Sequence, residues 1–229
     1  MSDQSRNKLS SIRRIGFDLD NTLYPSTPEI QQKIRAKICE KLACALGLDV
    51  ERVRILFEEN YNGTYSWSNS GSRTISEIAR QYEKSIDGSD IVQDSLEEAD
   101  FLDLINPNQR LNEMLARISD RYSLDLITGS RRRICLPKLH RLGIRPGIFG
   151  LILADEDGSK TDGTAYEKWL QVTETSASSV LYVGDNLKQD VIAPKKLGIT
   201  TCLVGDSNGI SDFHIKDILD LEELLKSRN

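Results

Sequence analysis

The sequence is poor in the residues that usually announce metal or redox chemistry. Two histidines, His140 and His214, are all it has in 229 residues, and they make neither a metal signature nor a nucleophilic triad. Its four cysteines, Cys39, Cys44, Cys135 and Cys202, include no CxxC pair. Each lies in an apolar or helical context, so they read as reduced thiols filling small core positions in a reducing compartment. No apolar run reaches membrane-spanning length, and the opening MSDQSRNKLSSIRR is polar rather than an apolar signal segment. The expectation is a cytoplasmic protein without a membrane partner. Positive charge is not in excess either: the formal net charge is -5. That argues against a nucleic-acid polymer as partner, while leaving room for a local basic pocket. No repeat or low-complexity tract appears. What remains, 38% hydrophobic and 28% charged residues, fits a soluble chain long enough for one substantial core and a smaller second unit.

Hydrophobic patterning divides the chain. Ile12 to Asp18 reads as a strand that ends on charge. Ile30, Ile34, Ile38 and Leu42 then recur every four residues, a helical stripe, and Val50 to Phe57 suggests a second helix. Further helices are expected over Thr74 to Ser85 and within Asp90 to Leu104. Beyond Pro107, helices alternate with short apolar runs at Leu124 to Ile127, Ile148 to Leu153, Val180 to Val183 and Thr200 to Val204. A helix over Ile134 to Leu142 is expected to be disturbed or delayed at its start by Pro137. This alternation predicts an α/β fold with a largely parallel sheet covered on both faces. About 100 residues separate the first strand from the second, too many for a compact connection. The expected organisation is a core of residues 1–26 and 105–229, interrupted by a helical domain over 27–104.

In an open parallel sheet, ligands gather beyond the carboxyl ends of the strands. Here those ends carry Asp18 and Asp20, then Thr128, Gly129 and Ser130, then Lys160, then Asp185 with Asp190 five residues on. An oxygen-rich acidic cluster recruits Mg²⁺, which neutralises a phosphoryl group that the carboxylates would otherwise repel. A lysine adds positive charge, and a hydroxyl or backbone N–H can donate to phosphate oxygens. One aspartate can attack phosphorus while a second carboxyl protonates the leaving oxygen. Each residue also has a plainer reading: Asp18 and Asp20 as solvated strand ends, Asp185 and Asp190 as helix caps, Thr128 as a turn residue, and Lys160 as a loop lysine with Lys168 in its place.

FDLDNTLYP at Phe17 to Pro25 resembles the first motif of the haloacid-dehalogenase-like phosphohydrolase superfamily, Asp-x-Asp-x-Thr after an apolar strand. LITGS, Lys160 in DGSKTDGTAYEKW, and VGDNLKQDVIAPKKLGI resemble the second, third and fourth motifs, in order. The resemblance implies a Rossmann-like core with a helical cap. It implies Asp18 as nucleophile and Asp20 as general acid and then base. Asp18, the Asp20 backbone carbonyl and Asp185 would hold Mg²⁺, and Thr128, Gly129 and Lys160 would bind the phosphoryl group. Asn21 and Thr22 would shape the aspartate loop, and Asp190 would support Lys160 or a metal-bound water. Gly129 and Thr161 depart from the family pattern, which often has a polar residue after the second-motif Thr and a proline after the third-motif lysine. Asp20 argues against dehalogenation, because dehalogenases of this fold lack an aspartate there.

DNTLYP, with Tyr61 to Thr64 in the insert, looks most like the branch that includes pyrimidine 5′-nucleotidases. The expected reaction is Mg²⁺-dependent hydrolysis of a small phosphorylated metabolite, first a nucleoside 5′-monophosphate, next a sugar phosphate or phosphoglycolate. A phosphatase-like binding protein without activity is the contrasting class. The insert would cover the site during attack and open for release. Arg131 to Arg133 read either as a solvated helix start or as an attractor of polyanions. Tyr61, Thr64, Tyr65 and Trp67 read either as cap packing or as a loop that stacks on a ring. The oligomeric state is left open by the sequence.

Overall fold

In a computed structural model, residues 8–61, 71–145, 147–206 and 209–226 are described. They divide into two compact units, Met1–Pro25 with Ile105–Asn229, and Ser26–Leu104.

The first unit is built on a six-stranded sheet. Its strands are β1 (Arg14–Phe17), β2 (Ser123–Ile127), β3 (Leu151–Leu153), β4 (Val180–Gly184), β5 (Thr200–Val204) and β6 (Phe213–Ile215). All neighbours run parallel, in the order β3-β2-β1-β4-β5-β6. β4 is buried along its whole length, as a strand covered on both faces must be. The chain departs from β1 to one side towards β2 and β3 and later returns on the other side through β4. The crevice between β1 and β4 is therefore the topological switch point where this kind of sheet binds ligands.

Three local features differ from the patterning. β3 is shorter than the apolar run Ile148 to Leu153, because Ile148 to Gly150 form the bend that leads into it. β6 was not foreseen; three residues with only the middle one exposed are too few to show a period. Pro137 does not delay its helix, which already starts at Arg132 and runs to Arg141. Proline removes one backbone donor there, but burial of Ile134, Cys135 and Leu139 along one face holds the helix together.

Behind the switch point lies a core of aromatic residues. Tyr166 and Trp169, from the Thr164–Thr173 helix, pack edge-on against Tyr182 of β4, with ring centroids 4.8 and 6.1 Å away. Gly16 makes room for the indole: a Cβ at that position would sit 2.8 Å from the Trp169 ring. Trp169 Nε1 donates to Asp125 Oδ2 at 2.7 Å, and Arg14 Nη1 donates to the same oxygen at 2.7 Å. The fully buried Asp125 is thereby paired within the strand layer.

Among its described residues the second unit contains four α-helices, Pro28–Leu46, Val50–Asn60, Ser72–Gln81 and Gly88–Glu98, and a 3₁₀ turn over Leu102–Leu104. Thr27 caps the first, its side chain accepting from Ile30 N, with Pro28 in the first turn. Gly47 ends that helix in the left-handed conformation, at φ 69°. The predicted stripe Ile30, Ile34, Ile38 and Leu42 is buried. Tyr61 stacks on Phe57 at 5.2 Å. That contact favours packing for this residue; Thr64, Tyr65 and Trp67 lie outside the described residues. All four cysteines are free thiols, with Cys44 exposed and Cys39, Cys135 and Cys202 buried.

Candidate active site

Asp18 follows β1 directly. Its backbone N–H donates to Val183 O at 2.9 Å, which continues the β1–β4 pairing one step and fixes the carboxylate at the switch point. Lys160 Nζ donates to Asp18 Oδ1 at 2.5 Å and lies 2.7 Å from Asp190 Oδ1. All three side chains are buried, Asp190 completely. The ammonium also lies 5.4 Å from the Tyr182 ring centroid. Lys168, by contrast, is half exposed and donates to Asp157 at 2.9 Å. Of the two lysines, Lys160 is the one the structure brings to the aspartates.

Asp185 follows β4. Thr22 Oγ1 sits between it and Asp18, 3.4 Å from Asp185 Oδ1 and 3.3 Å from Asp18 Oδ2. Asn21, just before, takes φ 61°, a left-handed conformation that Asn tolerates better than most residues and that lets the loop turn back. Neither Asp185 nor Asp190 caps the following turn. Asn186 does, its side chain accepting from Lys188 N and Gln189 N, both at 3.0 Å. A π-helical turn over Leu187–Ile192 then brings Asp190 back, so that its Oδ2 accepts from Asn186 N at 2.8 Å. Gly184 permits this return, because a Cβ there would lie 2.4 Å from Asp190 Cγ.

Asp18, Asp185 and Asp190 each offer a carboxylate oxygen within 4.8 Å of the others. One lysine does not balance three such charges. Burial, opposed by Lys160 and reinforced by Asp190, pushes the Asp18 carboxyl up to about 7. Burial, with Asp18 and Asp190 adding to it, pushes Asp185 up to about 8. Oxygen donors carrying this much uncompensated charge fit a hard divalent cation.

Asp20 faces other partners. Its Oδ1 accepts from Lys138 Nζ at 2.6 Å and from the Tyr24 hydroxyl, and its Oδ2 accepts from Ser130 Oγ at 2.9 Å. Burial works against its ionisation, yet Lys138, Tyr24 and Ser130 together hold the carboxyl below its usual range. Ser130 is placed by its own N–H, which donates to Thr128 Oγ1 at 3.1 Å. The buried Thr128 hydroxyl thus accepts one bond and keeps its proton to donate. Gly129 lies between them, half-buried.

Sequence reasoning missed Lys138 and Tyr24. Lys138 is the one charged residue on the buried face formed by Ile134, Cys135 and Leu139, and that interruption was a usable signal. Of the arginine triplet, Arg132 is engaged structurally: its guanidinium donates to Asp157 at 2.6 Å and its backbone N–H to Glu156 at 3.1 Å.

Residues 15–204 match the family model described as haloacid dehalogenase-like hydrolase. The chain belongs to that family. It is 24% identical to a glyceraldehyde 3-phosphate phosphatase of Methanocaldococcus jannaschii, over 94% of this chain and 98% of the relative. Among solved structures it resembles a HAD phosphatase of Thermococcus onnurineus, with TM-score 0.66, 20% identity, and 93% and 98% of the two chains covered. It also resembles a HAD hydrolase of Bacillus subtilis bound to magnesium, with TM-score 0.61, 17% identity, and 93% and 98% covered. The fold is that of these neighbours, and the family is one of hydrolytic enzymes.

Proposed function

We propose that the protein is a Mg²⁺-dependent phosphomonoesterase that works through an aspartyl-phosphate on Asp18. The observation that carries this reading is the buried Lys160 ammonium held between Asp18 and Asp190, 2.5 and 2.7 Å away, with Asp185 in the same cluster. A carboxylate so placed can meet a phosphoryl group without solvent, with a cation beside it.

An Asp18 oxygen attacks phosphorus, and the bond to the leaving oxygen breaks as the new one forms. Asp20 gives its proton to the departing alkoxide. In the free protein Asp20 is held ionised, so it needs to gain that proton first; the approach of a phosphate dianion raises its pKa. Asp20 then takes a proton from water, whose oxygen attacks phosphorus and frees orthophosphate and Asp18. Lys160, the Thr128 hydroxyl and the Gly129 N–H donate to phosphoryl oxygens. Thr22 and Asn21 keep the aspartate loop turned, and Asp190 orients Lys160. Asp18, Asp185 and the Asp20 backbone carbonyl would hold the cation, which supplies neutralisation of the phosphoryl charge when bound.

The substrate is a small phosphorylated metabolite. Likeness to the glyceraldehyde 3-phosphate phosphatase favours a short sugar phosphate. The nucleoside 5′-monophosphate reading rests on DNTLYP and on Tyr61 to Thr64, of which residues 62–64 lie outside the described residues. The inserted unit 26–104 is the candidate source of leaving-group preference. Among the described residues no helix is long and apolar enough to cross a membrane.

The test is orthophosphate release across triose and sugar phosphates, phosphoglycolate and nucleoside 5′-monophosphates, with Mg²⁺ and with EDTA. Release that needs Mg²⁺ and disappears in Asp18→Asn is the expected result. Equal release from Asp18→Asn would overturn the aspartyl-phosphate route.

A further inference from the structure

A cavity of about 750 Å³ lies at the end of the sheet where the strands begin, opposite the aspartates. Arg13 and Arg14 bring it the start of β1, Ser123 the start of β2, and Leu151 the start of β3. Four arginines line it, Arg13, Arg14, Arg121 and Arg145. Arg14 is neutralised by Asp125 at 2.7 Å. The other three have no carboxylate in ion-pair reach among the described residues. Arg13 Nη1 donates to the carbonyls of Ser10 and Ile12, both at 2.9 Å, and Arg121 lies over the Tyr122 ring at 5.7 Å.

A single unpaired surface arginine needs no explanation. Three around one concavity, in a chain of net charge -5, gather positive charge at this end of the sheet. A second observation points the same way. Tyr122, which also lines the cavity, is only 4% exposed, yet among the described residues its buried hydroxyl has no hydrogen-bond partner. A buried O–H is rarely left without an acceptor, and a phosphate oxygen is a strong one. The guanidinium fork matches phosphate geometry. Part of the lining is apolar, with Leu124, Ile148 and Val172, the last 54% exposed. The ligand therefore carries a carbon body as well as charge.

We propose that this cavity is a second anion site, for a small organic polyanion bearing phosphate, separate from the site at Asp18. The probe is inorganic pyrophosphate, titrated calorimetrically into the full chain in EDTA at about 0.15 M salt. The expected result is saturable binding whose Kd rises about tenfold or more in Arg121→Gln/Arg145→Gln and changes little in Lys160→Met. Tyr122→Phe is expected to weaken binding by a smaller factor. Circular dichroism establishes that each variant is folded. Absence of saturable binding in the natural protein overturns the proposal. So does a Kd indifferent to the arginine pair, or binding that Lys160→Met removes.

Discussion

Lys138 Nζ lies 2.6 Å from Asp20 Oδ1 and 3.0 Å from Ser130 Oγ, and the lysine side chain is 1% exposed. A buried ammonium beside a carboxylate favours the ionised form of that carboxylate. Asp20 consequently waits as a base, and its availability as an acid depends on how firmly Lys138 holds it. Lys138→Met is expected to move the Asp20 inflection in the pH profile of kcat/KM upward, with Lys138→Arg restoring part of the shift. A uniformly lower rate with an unmoved inflection would mean that Lys138 only supports packing.

Asp20→Asn separates the two proton transfers. Hydrolysis of an alkyl phosphate, whose alkoxide needs a proton to leave, should fall by about 10²–10⁴. Phosphorylation of Asp18 by p-nitrophenyl phosphate should fall much less, because nitrophenolate leaves unaided. Burst amplitudes from the two esters in rapid-quench experiments check this; equal losses in the first step would count against Asp20 as the acid.

The Asp18–Asp185 pair sets a pH dependence of stability in metal-free protein. Both folded-state pKa values, about 7 and about 8, lie above the ordinary 3.8. The folded state therefore holds protons that the unfolded chain releases, and stability falls as pH rises from about 4 to about 8. Thermal melts in EDTA should show a Tm that declines over this window. Added Mg²⁺ should raise Tm more at pH 8 than at pH 5, since a cation binds the ionised carboxylates. Asp185→Asn should flatten the decline, and a Tm that rises with pH would contradict the assignment.

Gly184→Ala should disrupt the site through Asp190 alone, since the new methyl would overlap Asp190 Cγ and Oδ2, both 2.4 Å from the Cβ position. Overpacking of this kind costs about 1–3 kcal/mol. Urea unfolding measures that loss. Orthophosphate release should fall further than stability does, because Lys160 loses one of its two carboxylates.

Trp169→Phe removes one of two donors to the buried Asp125 while keeping an aromatic ring. A hydrogen bond to a charged group is worth about 1.5–3 kcal/mol, and urea unfolding should show a loss in that range. An unchanged midpoint would mean that Arg14 alone satisfies the carboxylate.

Much of this site was readable from the chain because charge at a strand end is conspicuous. Asp18 and Asp185 each end an apolar run, Lys160 comes four residues before a helix, and the parallel order brings such ends together. Lys138 was harder, because a lysine on a helix usually extends its stem to solvent, and only the depth of Ile134 and Cys135 around it shows that this one cannot. Tyr24 was hidden in the apolar stretch before Pro25. The return of Asp190 depends on a π-helical turn, a register no periodicity rule anticipates. β6 and the shortened β3 owe their limits to pairing with a neighbour rather than to propensity.

The thiols offer a consequence for experiment. Burial pushes Cys39 up to about 11 and Cys135 and Cys202 up to about 12, so at neutral pH none of the three carries appreciable thiolate. Cys44, on the exposed side of the Pro28–Leu46 helix, is the remaining nucleophile. A maleimide dye would thus mark the helical insertion at one defined point in the natural protein. Adding substrate to such a labelled sample would report on the insertion optically, with no cysteine engineered in or out.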